Sequence, residues 1–308
     1  MRGIEEDRAA GCLLGLAVGD ALGTTLEFSR RDSYAPLTDI IGGGPFNLKP
    51  GQWTDDTSMA LCLADSLIAR DALDPGDLMD RFRAWRDDGH NSVTGNCFDI
   101  GNTTSTAISR YIRTGDPLAG DTDPHSGGNG AIMRLAPVPI RYRHDLAQAE
   151  AAAVLQSRTT HGAPECLESC RLMTQVLVRL LGGAAWEEAI ALEAGQFDEA
   201  NVRALAQGTW KGKERDQISS SGYVIHTLEA ALWAVHSTAS FRGAALLAVN
   251  LGDDADTVGA VTGQLAGARY GLAGIPPAWL EVLAWREELM TRVRQLTGGA
   301  AASVSSPR

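Results

Sequence analysis

Apolar residues return at helical spacing from residue 5 to about residue 297, and few stretches alternate strictly enough to read as strands. The periodicity predicts helices over roughly 5–22, 55–70, 77–88, 102–114, 128–135, 145–157, 164–182, 186–195, 199–208, 222–238, 241–250, 255–272 and 278–297. Breakers fall between them: Asp74-Pro75 ahead of the third, Thr114-Gly115-Asp116-Pro117 after the fourth, Gly182-Gly183 and Gly274-Ile275-Pro276-Pro277 later on. The expected fold class is all-α, a single compact multi-helix domain over 1–297 with a small, polar, disordered tail over 298–308. Irregular stretches at 24–53, 115–127 and 209–221 are the expected walls of a ligand cleft.

Two segments carry glycine at every fourth position, Gly11, Gly15, Gly19 and Gly23 in one and Gly259, Gly263, Gly267 and Gly271 in the other. Each glycine costs a helix roughly 1 kcal/mol, and in exchange a smooth stripe lets another backbone approach closely. The stripes read either as ordinary close packing or as a device that brings distant acidic segments together.

Composition narrows the function. A 308-residue chain with 44% hydrophobic residues can bury a sizeable core. Its formal net charge of -11 argues against a general nucleic-acid or anionic-membrane binder, so an anionic ligand has to be held locally by amides or metal. Five cysteines, Cys12, Cys62, Cys97, Cys166 and Cys170, are an odd set without zinc spacing, which suits a reducing compartment. The apolar run Gly11 to Gly19 follows Glu5-Glu6-Asp7, wrong for a signal peptide, and no stretch reads as a bilayer span. The expectation is a cytoplasmic monomer.

The chemistry concentrates in two acidic clusters, Trp53-Thr54-Asp55-Asp56-Thr57 and Asp253-Asp254-Ala255-Asp256-Thr257, each opening an apolar helical segment. One aspartate would serve as a helix cap; adjacent aspartates repel and resist burial unless a cation compensates them. Carboxylates beside threonine hydroxyls are hard oxygen donors, suited to magnesium, manganese or calcium rather than zinc or copper. An EF-hand is excluded, because Val258 stands at the fifth position and Leu265 at the twelfth. Together the clusters read as halves of one binuclear site. Glu27 is a further candidate ligand or base, while Asp20 reads as a helix-terminal polar residue. The glycines of Ser126-Gly127-Gly128-Asn129-Gly130 read equally as a turn or as a phosphate cradle.

Gly19-Asp20-Ala21-Leu22-Gly23, Thr54-Asp55-Asp56-Thr57, Phe98 to Thr104, Gly128 to Arg134, Thr160-His161-Gly162 and Asp254-Ala255-Asp256-Thr257 occur in the order seen in ADP-ribosylglycohydrolases. The chain resembles that family from about residue 8 to about residue 290. It looks most similar to the dinitrogenase reductase-activating branch, through Phe98 to Thr104, Ser157 to Cys166 and Gly222 to Trp233.

The resemblance implies an all-α fold with two divalent cations, Mg2+ or Mn2+, in a binuclear cleft. It carries metal ligation onto Thr54, Asp55, Asp56, Asp254, Asp256 and Thr257, with Glu27 as an additional ligand. It carries ADP-ribose contacts onto Asp99, Gly128, Asn129, Gly130, His161 and Tyr223. The implied reaction is hydrolysis at ribose C1″, freeing ADP-ribose from an ADP-ribosylated protein, most closely an N-linked arginine. Cleavage through an oxocarbenium-like state needs leaving-group protonation and an activated water, tasks assigned to Asp99 and Glu27. Serine-linked substrates, free ADP-ribosyl metabolites and a non-catalytic ADP-ribose-binding protein on the same scaffold are the alternatives. Trp53 borders either the leaving-group channel or the core.

Overall fold

The computed structural model describes residues 3–298, so the expected tail lies, apart from Gly298, outside the described residues. The helices are α1 (Ile4–Gly23), α2 (Asp55–Arg70), α3 (Pro75–Asp88), α4 (Asn102–Thr114), α5 (Pro137–Arg141), α6 (Leu146–Thr160), α7 (Pro164–Leu181), α8 (Trp186–Ala189), α9 (Ala200–Ala206), α10 (Val224–His236), α11 (Phe241–Val249), α12 (Ala255–Tyr270), α13 (Pro277–Val282) and α14 (Arg286–Thr297). Extended pairing among the described residues is confined to three isolated bridges, Gly43 with Leu48, Asp121 with His161 and Gly128 with Tyr223.

The two glycine stripes meet. A β-carbon on Gly11 would lie 2.3 Å from the Gly267 carbonyl oxygen, one on Gly15 2.3 Å from Gly263, one on Gly19 2.0 Å from Gly259 and one on Gly23 2.2 Å from Ala255. Rising numbers on one helix meet falling numbers on the other, so α1 and α12 run antiparallel with backbones in contact. Residues 9–23 of α1 and 255–268 of α12 are buried throughout, as expected of helices apolar on every side. The stretch Ile4–Leu26 is, contrary to the sequence reading, long and apolar enough to cross a membrane, with mean hydropathy 1.5. Of its apolar 18-residue window 94% is buried by neighbouring elements, which explains its apolarity as that of a central helix.

Local signals set most boundaries. Asp74 caps α3 by accepting from the Gly76 and Asp77 amides, and Asp145 and Ser240 cap α6 and α11. Three predicted helices are altered by tertiary contacts. Residues 130–134 form turns rather than the helix expected over 128–135. Their carbonyls are taken by buried glutamines: Gln156 donates to Ala131 O at 3.1 Å, and Gln264 to Ile132 O at 3.1 Å and Met133 O at 2.6 Å. In the segment 186–195 α-helix is confined to α8, a 3-10 turn over Ala194–Gln196 follows, and Arg179 occupies the Ala191 carbonyl between them. The expected helix over 278–297 breaks into α13 and α14 at Trp285, which sits at φ 54° with its ring edge-on to Trp53. Trp53 is fully buried and donates to Ala284 O at 3.3 Å, so it plugs the core rather than bordering a channel.

Candidate active site and metal centre

Antiparallel packing places the C-terminal end of α1 beside the N-terminal end of α12, and the start of α2 joins them. Each start is a source of partial positive charge and unpaired amides. Asp20, in the last turn of α1, uses both carboxylate oxygens on the start of α2. Oδ1 accepts from Thr54 N at 2.8 Å and Thr54 Oγ1 at 2.9 Å; Oδ2 accepts from Thr57 N at 3.0 Å and Thr57 Oγ1 at 2.6 Å. Thr54, the N-cap residue, makes no capping bond of its own. Asp20 is helix-terminal, as expected, but it caps a different helix from the one it sits on.

The Thr54 hydroxyl also lies 3.2 Å from Asp56 Oδ2 and 3.2 Å from Asp256 Oδ2. One hydroxyl proton serves one of these three carboxylates, leaving two oxygen–oxygen approaches without a proton between them. Asp56 Oδ1 is buried and has no partner at all. Asp20, Asp56 and Asp256 each present an oxygen within 4.8 Å of the others, and so do Glu27, Asp254 and Asp256. Asp256 belongs to both groups. No lysine, arginine or histidine among the described residues forms an ion pair with Asp20, Glu27, Asp55, Asp56, Asp99, Asp254 or Asp256.

This arrangement is electrostatically unfavourable by itself. Burial, then the Asp256 charge, pushes Asp20 and Asp254 up to about 7. Burial followed by the Asp55 charge pushes Asp99 up to about 11, and burial with Asp256 raises Glu27 still further. Asp55 and Asp56 are raised by burial and by their neighbours. A hard divalent cation reverses the sign of the largest local interaction and gives the orphaned Asp56 oxygen a partner. The donor set, all oxygen and from two groups sharing one carboxylate, fits a metal site.

Above the clusters opens a cleft of about 730 Å³, the size of pockets that enclose a small organic ligand. Glu27, Asp55, Asp99, Asp254, Asp256 and Thr257 line it, as do Gly128, Asn129, Gly130 and His161. Thr54 and Asp56 are fully buried and do not line it. Asp55 lines the cleft but belongs to neither tight carboxylate group.

The expected ADP-ribose contacts are rearranged in detail. The Gly128 amide donates to Ser126 O at 2.9 Å and the Asn129 amide to Gly222 O at 3.2 Å, so neither stands open as a cradle donor. The Gly130 amide has no such backbone partner. Asn129 turns its side-chain amide to Asp254 Oδ2 at 2.7 Å and Thr227 Oγ1 at 2.9 Å, holding the carboxylate in place. His161 caps the C-terminal end of α6. Its ring lies so close to the loop that a β-carbon on Gly130 would be 2.6 Å from Cε1. Burial, then Arg134, pushes His161 down to about 3, so it meets a ligand as neutral imidazole. Arg134 donates to Thr160 Oγ1 at 2.8 Å, and Thr160 Oγ1 stands 2.8 Å from His161 Nδ1. Tyr223 does not line the cleft; its hydroxyl bonds Glu165 and its ring packs at Gly127.

The fold and site define an all-α protein with a metal-suited carboxylate cleft. The ADP-ribosylglycohydrolase family model matches residues 1–303, and the chain belongs to that family. It is 48% identical to the ADP-ribosylarginine hydrolase Tri1 of Pseudomonas putida (strain GB-1), over 94% of this chain and 78% of that protein. The Tri1 hydrolase of Serratia proteamaculans (strain 568) is also 48% identical, over 94% of this chain and 79% of that protein. The ADP-ribosyl-[dinitrogen reductase] glycohydrolase of Rhodospirillum rubrum is 37% identical, over 92% of each. The two Tri1 hydrolases are therefore nearer than this dinitrogenase reductase relative, which corrects the branch expected from the motifs. A solved chain described as an ADP-ribosylglycohydrolase-related protein complex superposes with a TM-score of 0.86 at 42% identity, covering 96% of this chain and 99% of that one.

Proposed function

We propose that this enzyme frees ADP-ribose from N-linked ADP-ribosyl-arginine in modified proteins, working with two divalent cations, Mg2+ or Mn2+. The observation that carries the reading is Asp256, whose carboxylate is common to two groups of oxygen donors under one cleft. The 48% identity to two ADP-ribosylarginine hydrolases supports arginine as the acceptor. Asp20, Asp56 and Asp256 would hold one cation, with the Thr54 hydroxyl among them, and Glu27, Asp254 and Asp256 the other. Asp55 and Thr257 would complete the sites from the cleft side. Bound there, the cations supply charge neutralisation and Lewis acidity toward ribose oxygens and water.

The rest falls to the chain. Asp99 and Glu27 reach the cleft from different segments, before α4 and after α1. In the forward reaction one gives a proton to the departing guanidine nitrogen as the C1″–N bond breaks. The other takes the proton released as water oxygen bonds to C1″. The products are ADP-ribose and arginine, and the two carboxyls exchange protonation states. Gly130 N–H and the neutral His161 face the part of the cleft available to the pyrophosphate and distal ribose. The five free cysteines fit a reducing, cytoplasmic setting, which belongs to the same reading.

The test is release of ADP-ribose from arginine-modified and serine-modified proteins, before and after chelation. Release from arginine, lost on chelation and restored by Mg2+ or Mn2+, is expected. Release from serine alone, or undiminished release without metal, would overturn the reading.

A further inference from the structure

Three non-glycine residues on the cleft occupy left-handed backbone torsions: Phe28 at φ 60°, Asp99 at φ 60° and Asp253 at φ 56°. For a residue as bulky as phenylalanine this is uncommon and strained, and it persists only where neighbours enforce it. Here they do. Phe28 N donates to Asp253 O at 2.8 Å, and Asp253 N donates to Ser29 O at 2.9 Å. The result is a phenyl ring 69% exposed on the cleft, where it contributes little to the core. Phe46 lies edge-on to it with centroids 6.4 Å apart, and Phe98 lies 5.2 Å from Phe46. Phe28 and its chain neighbour Glu27 both line the cleft, and Phe46 and Phe98 stand behind Phe28, outside the lining, so one exposed phenyl ring shares the cleft with the carboxylates.

An exposed aromatic face beside carboxylates suits a planar, delocalised cation. A guanidinium stacks on aromatic rings and is weakly hydrated, whereas the hydroxyl left by a serine acceptor has neither charge nor π-face. We propose that Phe28, backed by Phe46 and Phe98, receives the guanidinium of the modified arginine and so determines acceptor specificity. The proposal rests on the arginine reading above.

The metal-loaded enzyme is assayed on ADP-ribosylarginine and ADP-ribosylserine peptides as wild type, Phe28→Ala, Phe28→Leu and Phe28→Trp. Phe28→Ala and Phe28→Leu should raise KM for the arginine peptide about tenfold with less change in kcat, and Phe28→Trp should restore it. Ethylguanidine should compete with the arginine peptide on the wild type, with an inhibition constant about tenfold weaker on Phe28→Ala. Calorimetric ADP-ribose affinity, which needs no guanidinium, reports that each variant keeps its fold. Equal losses on both peptides, or full activity in Phe28→Leu, would overturn the assignment. A wild type active on arginine with an indifferent Phe28→Ala refutes this assignment alone. A wild type inactive on arginine refutes the functional reading and this one with it.

Discussion

At the scale of single residues, the oxygens around Thr54 decide what the site is. Its hydroxyl touches carboxylates from α1, α2 and α12 at 2.9, 3.2 and 3.2 Å, and it has one proton to offer. Asp256 is the residue on which both donor groups depend. Asp256→Asn, which preserves shape and removes charge, should abolish binding of both cations and lower kcat/KM by roughly 100-fold or more. Glu27→Gln should remove one cation only. Calorimetric titration with Mn2+ reads the stoichiometry directly, and two cations retained in Asp256→Asn would contradict a shared ligand. Asn129 acts in support by holding Asp254, and Asp20, besides its place among the donors, holds the start of α2.

At the scale of elements, the antiparallel pair α1 and α12 is the device that assembles the site. The glycine stripes serve both of the readings open to the sequence, because close packing of the two backbones is what brings Asp20 to Asp256. A β-carbon on Gly19 would approach the Gly259 carbonyl oxygen to 2.0 Å, and main chain cannot swing aside as a side chain can. Gly19→Ala should therefore destabilise the fold by about 3 kcal/mol, although alanine alone favours a helix by roughly 1 kcal/mol. Gly195→Ala, exposed and with nothing within 4 Å of the new atom, is the control and should not destabilise the fold. Urea unfolding of both variants provides the comparison, and equal midpoints would show that the helices do not pack this tightly.

At the scale of the whole molecule, a chain of net charge -11 concentrates uncompensated carboxylates at the meeting point of three helix ends. The repulsion opposes folding until cations bind, so cation binding should be visible as stability. At a free Mn2+ concentration 100 times the dissociation constant, mass action contributes about 2.7 kcal/mol. For a protein of this size that raises Tm by roughly 4 °C for each cation bound. Differential scanning calorimetry with and without chelator measures it, and a Tm indifferent to Mn2+ would mean that the oxygens hold no cation in the native state.

Helical class, most helix positions and the two acidic clusters were legible in the sequence, because each rests on local rules: apolar spacing, caps, and the cost of adjacent carboxylates. The partner of Asp20 and the torsion of Phe28 were not. An aspartate in an apolar helix signals some partner, but only the chain's path shows that the partner is the start of another helix. The helix expected over 128–135 failed for the same reason, since Gln156 and Gln264 reach in from distant segments to take its carbonyls. What the sequence determined by itself was which residues bear charge and which segments coil. Tertiary structure alone decided which oxygens share a point in space, because carboxylates remote along the chain acquire a common cation only when backbones pack closely enough to bring them within a few ångströms.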